Sequence, residues 1–162
     1  MTIILEAEID DAEFLERAVE AHWLADGLLF WKALRLFERD HGGMSLIRLA
    51  VGEIEAKARA KESRRSYGGF AETRAGTLRR YRHAVRDSRE DAYVGHAEAD
   101  LYEPPEPPPR GGWPDEPEAN QKLEDERTYY EQLVPLFEVH VDLDPASNGW
   151  VGTPLGTVPL EN

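Results

Sequence analysis

The sequence predicts a mainly α fold of about five helices. Three observations carry that expectation. Apolar residues recur near the helical period in several segments, paired glycines stand at their ends, and a proline-rich stretch separates the last helix from the others. At 162 residues the chain suits one domain. Residues 1–144 read as a single helical domain that includes an extended strap at 101–117, and residues 145–162 as an irregular tail.

Asp10 or Asp11 suits the cap of a first helix running to about Ala25, with Leu15, Val19, His22 and Trp23 on one side. The stretch from Leu28 to Asp40 is apolar almost all round (Leu28, Leu29, Phe30, Trp31, Leu34, Leu36, Phe37), which suits a central or interfacial helix ended by His41-Gly42-Gly43. A third helix is expected from about Ser45 to Arg65, with Leu46, Leu49, Ala50, Ile54 and Ala58 near the helical period and Tyr67-Gly68-Gly69 as its break. A fourth is expected from Phe70 to Val94, along Thr77, Leu78, Tyr81, Ala84 and Val85.

Seven of the eleven prolines lie between Leu101 and Pro117. Proline removes a backbone donor, fixes φ and pushes the preceding residue out of the α region, so this segment is expected to be extended and semi-rigid. Leu101, Tyr102 and Trp113 give it anchors for docking, on the chain's own helices or on a partner. A fifth helix follows over 118–133 and stops near Pro135. Phe137, Val139, Val141 and Leu143 alternate as in a short strand, and the prolines and glycines after Pro145 exclude regular structure.

The net charge of −13 argues against a nucleic-acid binder. Basic residues cluster from Lys57 to Arg65 and from Arg74 to Arg86, whereas Glu6 to Glu20 and Glu98 to Glu131 are acidic, and the plain reading of such runs is a solvated face. There is no cysteine, which excludes disulfides and thiolate metal sites and fits a reducing cytosol. The first residues show no basic region followed by an apolar run, and no segment approaches the ~18 apolar residues that span a bilayer. A soluble, cytoplasmic protein is expected.

Complete catalytic motifs are lacking. Glu38 and His41 have the Glu-x-x-His spacing that di-iron bundles use, but no second copy occurs, so a histidine at a helix end is the better account. His140 and Asp142 have the His-x-Asp spacing of facial-triad iron oxygenases, but no histidine follows His140, and alternation in a strand explains the pair. Ser45, Ser63, Ser66, Ser88 and Ser147 lack a nucleophile elbow, and the Gly-Gly pairs lack the phosphate-loop lysine and the dinucleotide fingerprint. No catalytic, cofactor-binding or metal-binding residue is assigned, and the isolated chain is expected to hold no metal.

The order Leu34-Arg35-Leu36-Phe37-Glu38-Arg39-Asp40-His41, Ile54-Glu55-Ala56-Lys57-Ala58, Tyr93-Val94-Gly95-His96, the strap from Tyr102 to Pro109, Gln121 to Tyr130, and Val139 to Leu143 resembles the γ subunit of the hydroxylase of soluble methane monooxygenase and related bacterial di-iron hydrocarbon monooxygenases. The resemblance implies a mostly helical, non-catalytic subunit without iron of its own. It would pack on the catalytic α subunit in a hetero-oligomer with α and β subunits, the di-iron centre lying in that partner. Trp31, Phe37, Tyr102 and Trp113 are the expected partner contacts, since buried aromatic residues dominate interface energetics. The alternative is a stand-alone acidic helical binding protein, of antitoxin, immunity or inhibitor type, masking a basic partner.

Overall fold

Among the described residues six antiparallel strands, not five helices, organise the chain. The computed structural model describes residues 5–161; the N-terminal residues 1–4, read above for a leader, and Asn162 lie outside the described residues. The strands are β1 (Phe14–Glu20), β2 (Gly43–Arg48), β3 (Tyr67–Arg74), β4 (Ala84–Asp87), β5 (His96–Asp100) and β6 (Glu138–Val141), and the helices are α1 (Glu53–Ser63), α2 (Ala75–Arg80) and α3 (Pro117–Leu133). One sheet holds all six strands in the order β4-β5-β2-β1-β3-β6. The expectation of a mainly helical domain is therefore corrected to a sheet with helices packed on it.

The errors have a physical source. Leu15 and Val19 are four residues apart, which fits a helix, but with Arg17 between them they also form one face of a strand. Glu16 and Arg17 are both buried, so the apolar–polar alternation that marks a half-exposed strand is missing. From Leu28 to Asp40 no helix forms. Short 3-10 turns at Ala25–Gly27, Trp31–Ala33 and Glu38–Asp40 are separated by extended residues, among them Phe30 and Phe37. The expected third helix is strand β2 followed by α1, and the fourth is β3, the six-residue α2 and β4. Gly68-Gly69 is not a helix stop but part of β3. A Cβ on Gly69 would stand 2.2 Å from the carbonyl oxygen of His140, so the approach of β6 requires glycine there.

Other elements lie where the sequence places them. The strap carries no helix or strand up to Pro117, α3 covers 117–133, β6 occupies the alternating segment, and the chain after Pro145 is irregular. Pro117 opens α3 at a position whose N–H would have no helical partner.

Alternation along each strand produces two unlike faces. Leu15, Val19, Met44, Leu46, Ala71, Ala97 and Ala99 point to one side, where Trp31, Leu34, Leu36, Tyr130, Leu133 and Leu136 complete an apolar core beneath α3. The Trp31 and Tyr130 rings stack with centroids 6.2 Å apart, and the Tyr130 hydroxyl accepts the N–H of Leu36 at 3.1 Å. The opposite side carries Ala18, Ile47 and Phe70 beneath α1, which lies close because its contact residues are Ala56 and Ala60. That side also carries Glu16, Glu72, His140 and Lys57, all buried. Leu155 and Val158 of the tail are buried against it, which ties the tail to the sheet.

Among the described residues no helix is long and apolar enough to cross a membrane.

Candidate functional site

The sheet is open at its centre. β1 runs beside β3 from Phe14 to Glu20, but its pairing with β2 covers only Leu15↔Arg48 and Glu16↔Ile47. Beyond Glu16 the two strands part, and backbone groups that a ladder would satisfy need other partners. Arg17 supplies one: its guanidinium donates from Nη1 to the carbonyl of Ser45 at 3.1 Å and from Nε to the carbonyl of Ala33 at 3.3 Å.

A cleft of about 520 Å³ occupies this seam, lined by β1, β2, the 3-10 turns between them, the end of α1 and the entry to β5. Five of its lining residues are cations: Arg17, Lys32, Arg35, Arg39 and Arg64. Arg35 is committed to a bidentate pair with Glu126, both contacts at 2.7 Å. Among the described residues the other four have no carboxylate within ion-pair distance. Glu20 and Asp40 also reach the lining, but Glu20 meets His22 at 3.3 Å and Asp40 accepts the N–H of Phe37 at 2.7 Å. Arg17 is the most constrained cation. It is 6% exposed, and burial, followed by the nearby charge of Arg64, pulls its pKa down to about 9.

Hydroxyl and imidazole groups meet the cations in the cleft. Ser45 Oγ lies 2.7 Å from His96 Nε2, and His96 Nδ1 lies 2.5 Å from Ser88 Oγ. The register explains the first contact: Ile47 faces His96 and Ser45 faces Glu98, so Ser45 and His96 are diagonal neighbours on one face of β2 and β5. Trp23, Phe37 and Tyr93 add apolar walls. A cavity of this size with aromatic sides and a few converging polar groups is the usual form of a small-molecule site.

The residues singled out from the sequence fare differently. Trp31 is 6% exposed and lies in the core under α3, whereas Phe37 is half-buried at the cleft, its ring flanked by Arg35 and Arg39. Tyr102 is exposed, its carbonyl accepting from the Tyr129 hydroxyl at 2.7 Å. Trp113 is half-buried, and its indole N–H donates to Glu126 at 2.5 Å. The strap therefore docks on the chain's own α3 through the Trp113 side chain and the Tyr102 carbonyl, while the Tyr102 ring lies against Arg82. Glu38 and His41 sit on one 3-10 turn, with His41 in the left-handed region at φ 49°. His140 and Asp142 diverge in partners. Asp142 pairs with buried Lys57 at 2.8 Å and accepts from the Tyr67 hydroxyl at 2.7 Å, while His140 meets Glu138 and Glu72 at 2.9 and 3.6 Å.

Sequence reading missed Arg17, Ser45 and His96 as a group, because only strand pairing brings them together. Ser45 reads equally well as a helix cap. The available signal was Arg17 itself, a charge set between Leu15 and Val19 on an apolar stripe.

No family model matches the chain, and neither a curated protein nor a solved structure matches it. Of the segments that carry the resemblance to the hydroxylase γ subunit, Ile54–Ala58 and Gln121–Tyr130 are helical, whereas Leu34–His41 forms turns.

Proposed function

We propose that this protein binds a small organic anion, carrying a phosphate or carboxylate group, in the cleft between β1 and β2. One observation carries the reading: Arg17 is a buried guanidinium with no carboxylate partner, beside three further unpaired cations, in a chain of net charge −13. Holding a buried charge against carbonyl oxygens alone is unfavourable unless an opposite charge completes the site. The hydroxyl chain supports the same ligand. With Ser88 donating to His96 Nδ1 and His96 Nε2–H donating to Ser45 Oγ, the Ser45 proton is free to donate into the cleft. A cytoplasmic location, where small phosphates and carboxylates are abundant, belongs to the same proposal.

The subunit role implied by the resemblance needs Trp31 at a partner's surface, whereas Trp31 is buried in the chain's own core and Phe37, half-buried, lines the cleft. A second reading is favoured by the 2.7 Å contact between Ser45 and His96. With the opposite proton order His96 would act as a base and Ser45 as a nucleophile. The third member is then a hydroxyl, which orients the ring without stabilising an imidazolium as a carboxylate would, so binding is the primary reading.

Calorimetric titration with inorganic phosphate, sugar phosphates and dicarboxylates tests the proposal. At least one class should bind with 1:1 stoichiometry. Arg17→Met should weaken it about tenfold or more, the scale of one charged hydrogen bond, while Arg127→Met, which removes an exposed pair with Glu131 on α3, should not. Ser45→Ala should weaken binding modestly; if it instead leaves binding intact and abolishes hydrolysis of an activated anionic ester, the nucleophile reading replaces the first.

A further inference from the structure

On the face of the sheet that α1 and the tail cover, three glutamates stand side by side on adjacent strands. Glu16 of β1 is directly opposite Glu72 of β3, and Glu72 is directly opposite Glu138 of β6. His140, two residues along β6, points to the same side. Glu16, Glu72 and His140 are essentially inaccessible, at 0%, 0% and 1% exposure, while the Glu138 side chain is 39% exposed.

The hydrogen bonds around this row are unevenly shared. Glu72 accepts the backbone N–H groups of Gly156, Thr157 and Val158 at 2.6, 2.9 and 2.8 Å. The Thr157 hydroxyl donates to Glu138 at 2.6 Å, and His140 Nδ1 meets the Thr153 hydroxyl at 3.0 Å. By contrast, both oxygens of Glu16 are buried without a hydrogen-bond partner, and Nε2 of His140 has only a Glu138 carboxylate oxygen 2.9 Å away, outside hydrogen-bond geometry. Buried polar atoms are seldom left in that condition. Ligand atoms of Glu72, Glu138 and His140 thus converge, with buried Glu16 beside Glu72 on the next strand.

We propose that Glu72, Glu138 and His140 form a binding site for one divalent first-row metal ion, with Glu16 beside it and the 153–158 segment closing one side. One ligand atom each from Glu72, Glu138 and His140 lies within 4.8 Å of the others, the span expected of ligands placed about 2.0–2.4 Å from a common ion. Three amides occupy three of the roughly four lone-pair sites of the Glu72 carboxylate, which leaves one for the ion. An oxygen-rich set with one imidazole suits Mn²⁺, Fe²⁺ or Zn²⁺ and disfavours soft monovalent ions. Three carboxylates against one imidazole are short of positive charge, and a dication corrects that shortage while engaging His140 Nε2. Burial, and then the neighbouring Glu72, raise the Glu16 carboxyl well above its usual range, so a proton is the ion's natural competitor.

Chelator-treated full-length protein titrated separately with Mn²⁺ and Zn²⁺ provides the test, with Co²⁺ absorption as a reporter of inner-sphere ligation. The expected result is one ion per chain. Affinity should fall at least tenfold in both His140→Gln and Glu138→Gln, and the metal should raise the melting temperature of the wild type only. Glu138→Gln keeps the test informative if the buried variant folds poorly, because Glu138 is the exposed member. Absence of stoichiometric binding up to about 1 mM would overturn the assignment in favour of a proton shared between Glu16 and Glu72. Binding that both substitutions leave unchanged would overturn it as well, by placing the ion elsewhere on the acidic surface.

Discussion

The two faces of the sheet are made from the same strands and do opposite things with charge. Under α3 the side chains are Leu, Val, Met, Ala and Trp, and apart from Arg17 at the edge the charged groups that approach them are paired: Arg35 with Glu126, and Arg48 with Glu13 and Asp87. Under α1 and the tail, Glu16, Glu72, His140, Lys57 and Asp142 are buried beside a smaller apolar cluster, with unsatisfied atoms among them. Arg17 sits at the seam and is paired by neither face. Burying a charge without a partner is costly, so the contrast separates the face that stabilises the fold from the face and seam where a ligand has something to complete.

Four single variants and one double variant sharpen or break that contrast. Trp31→Ala should cost about 3–5 kcal/mol in denaturant unfolding, the usual loss for truncating a buried aromatic; a loss below about 1 kcal/mol would mean that the apolar face is not the stabilising one. Lys57→Met should cost about 3 kcal/mol, because Asp142 remains buried with only the Tyr67 hydroxyl and the N–H of Asp144 as donors. The double variant Lys57→Met/Asp142→Asn should recover part of that loss, which a double-mutant cycle measures.

Asp87 gives a smaller, pH-dependent effect. Burial opposes its charged form, but hydrogen bonds from Arg89 and Arg48 outweigh burial and hold the carboxyl at about 2, below its ordinary 3.8. A depressed carboxyl adds stability above the unfolded value and loses it as the pH falls. Wild-type stability should therefore decline relative to Asp87→Asn between about pH 4 and pH 2, followed by unfolding at fixed pH; parallel curves would show that the Arg48 cluster is not coupled to folding. Arg17→Met should change stability least, because it exchanges a desolvated charge for an apolar chain of similar length, while changing anion binding most.

Part of this arrangement was legible in the sequence. Proline chemistry marks the strap, Pro117 the start of α3, and the alternation of Phe137, Val139 and Val141 the strand β6. What stayed hidden are features that depend on pairing between distant segments. Glu16 faces Glu72 fifty-six positions later, and nothing local in either segment marks that register. Glu16, Arg17 and Glu72 also break the alternation that would have identified β1 and β3, so the residues that carry the proposed chemistry are the ones that concealed the fold. His140 was weighed against Asp142 because the two are near in sequence, whereas the structure pairs it with Glu138 and Glu72.

The claim that the seam is a site rests on Arg17, and its guanidinium can be observed directly. In ¹⁵N-labelled protein titrated with the best-binding phosphate or dicarboxylate, the Arg17 Nε–Hε resonance should shift saturably with the calorimetric affinity, while those of Arg35 and Arg48, already paired with Glu126, Glu13 and Asp87, should stay in place. A titration in which Arg17 does not move, or moves no more than the paired arginines, would contradict the account.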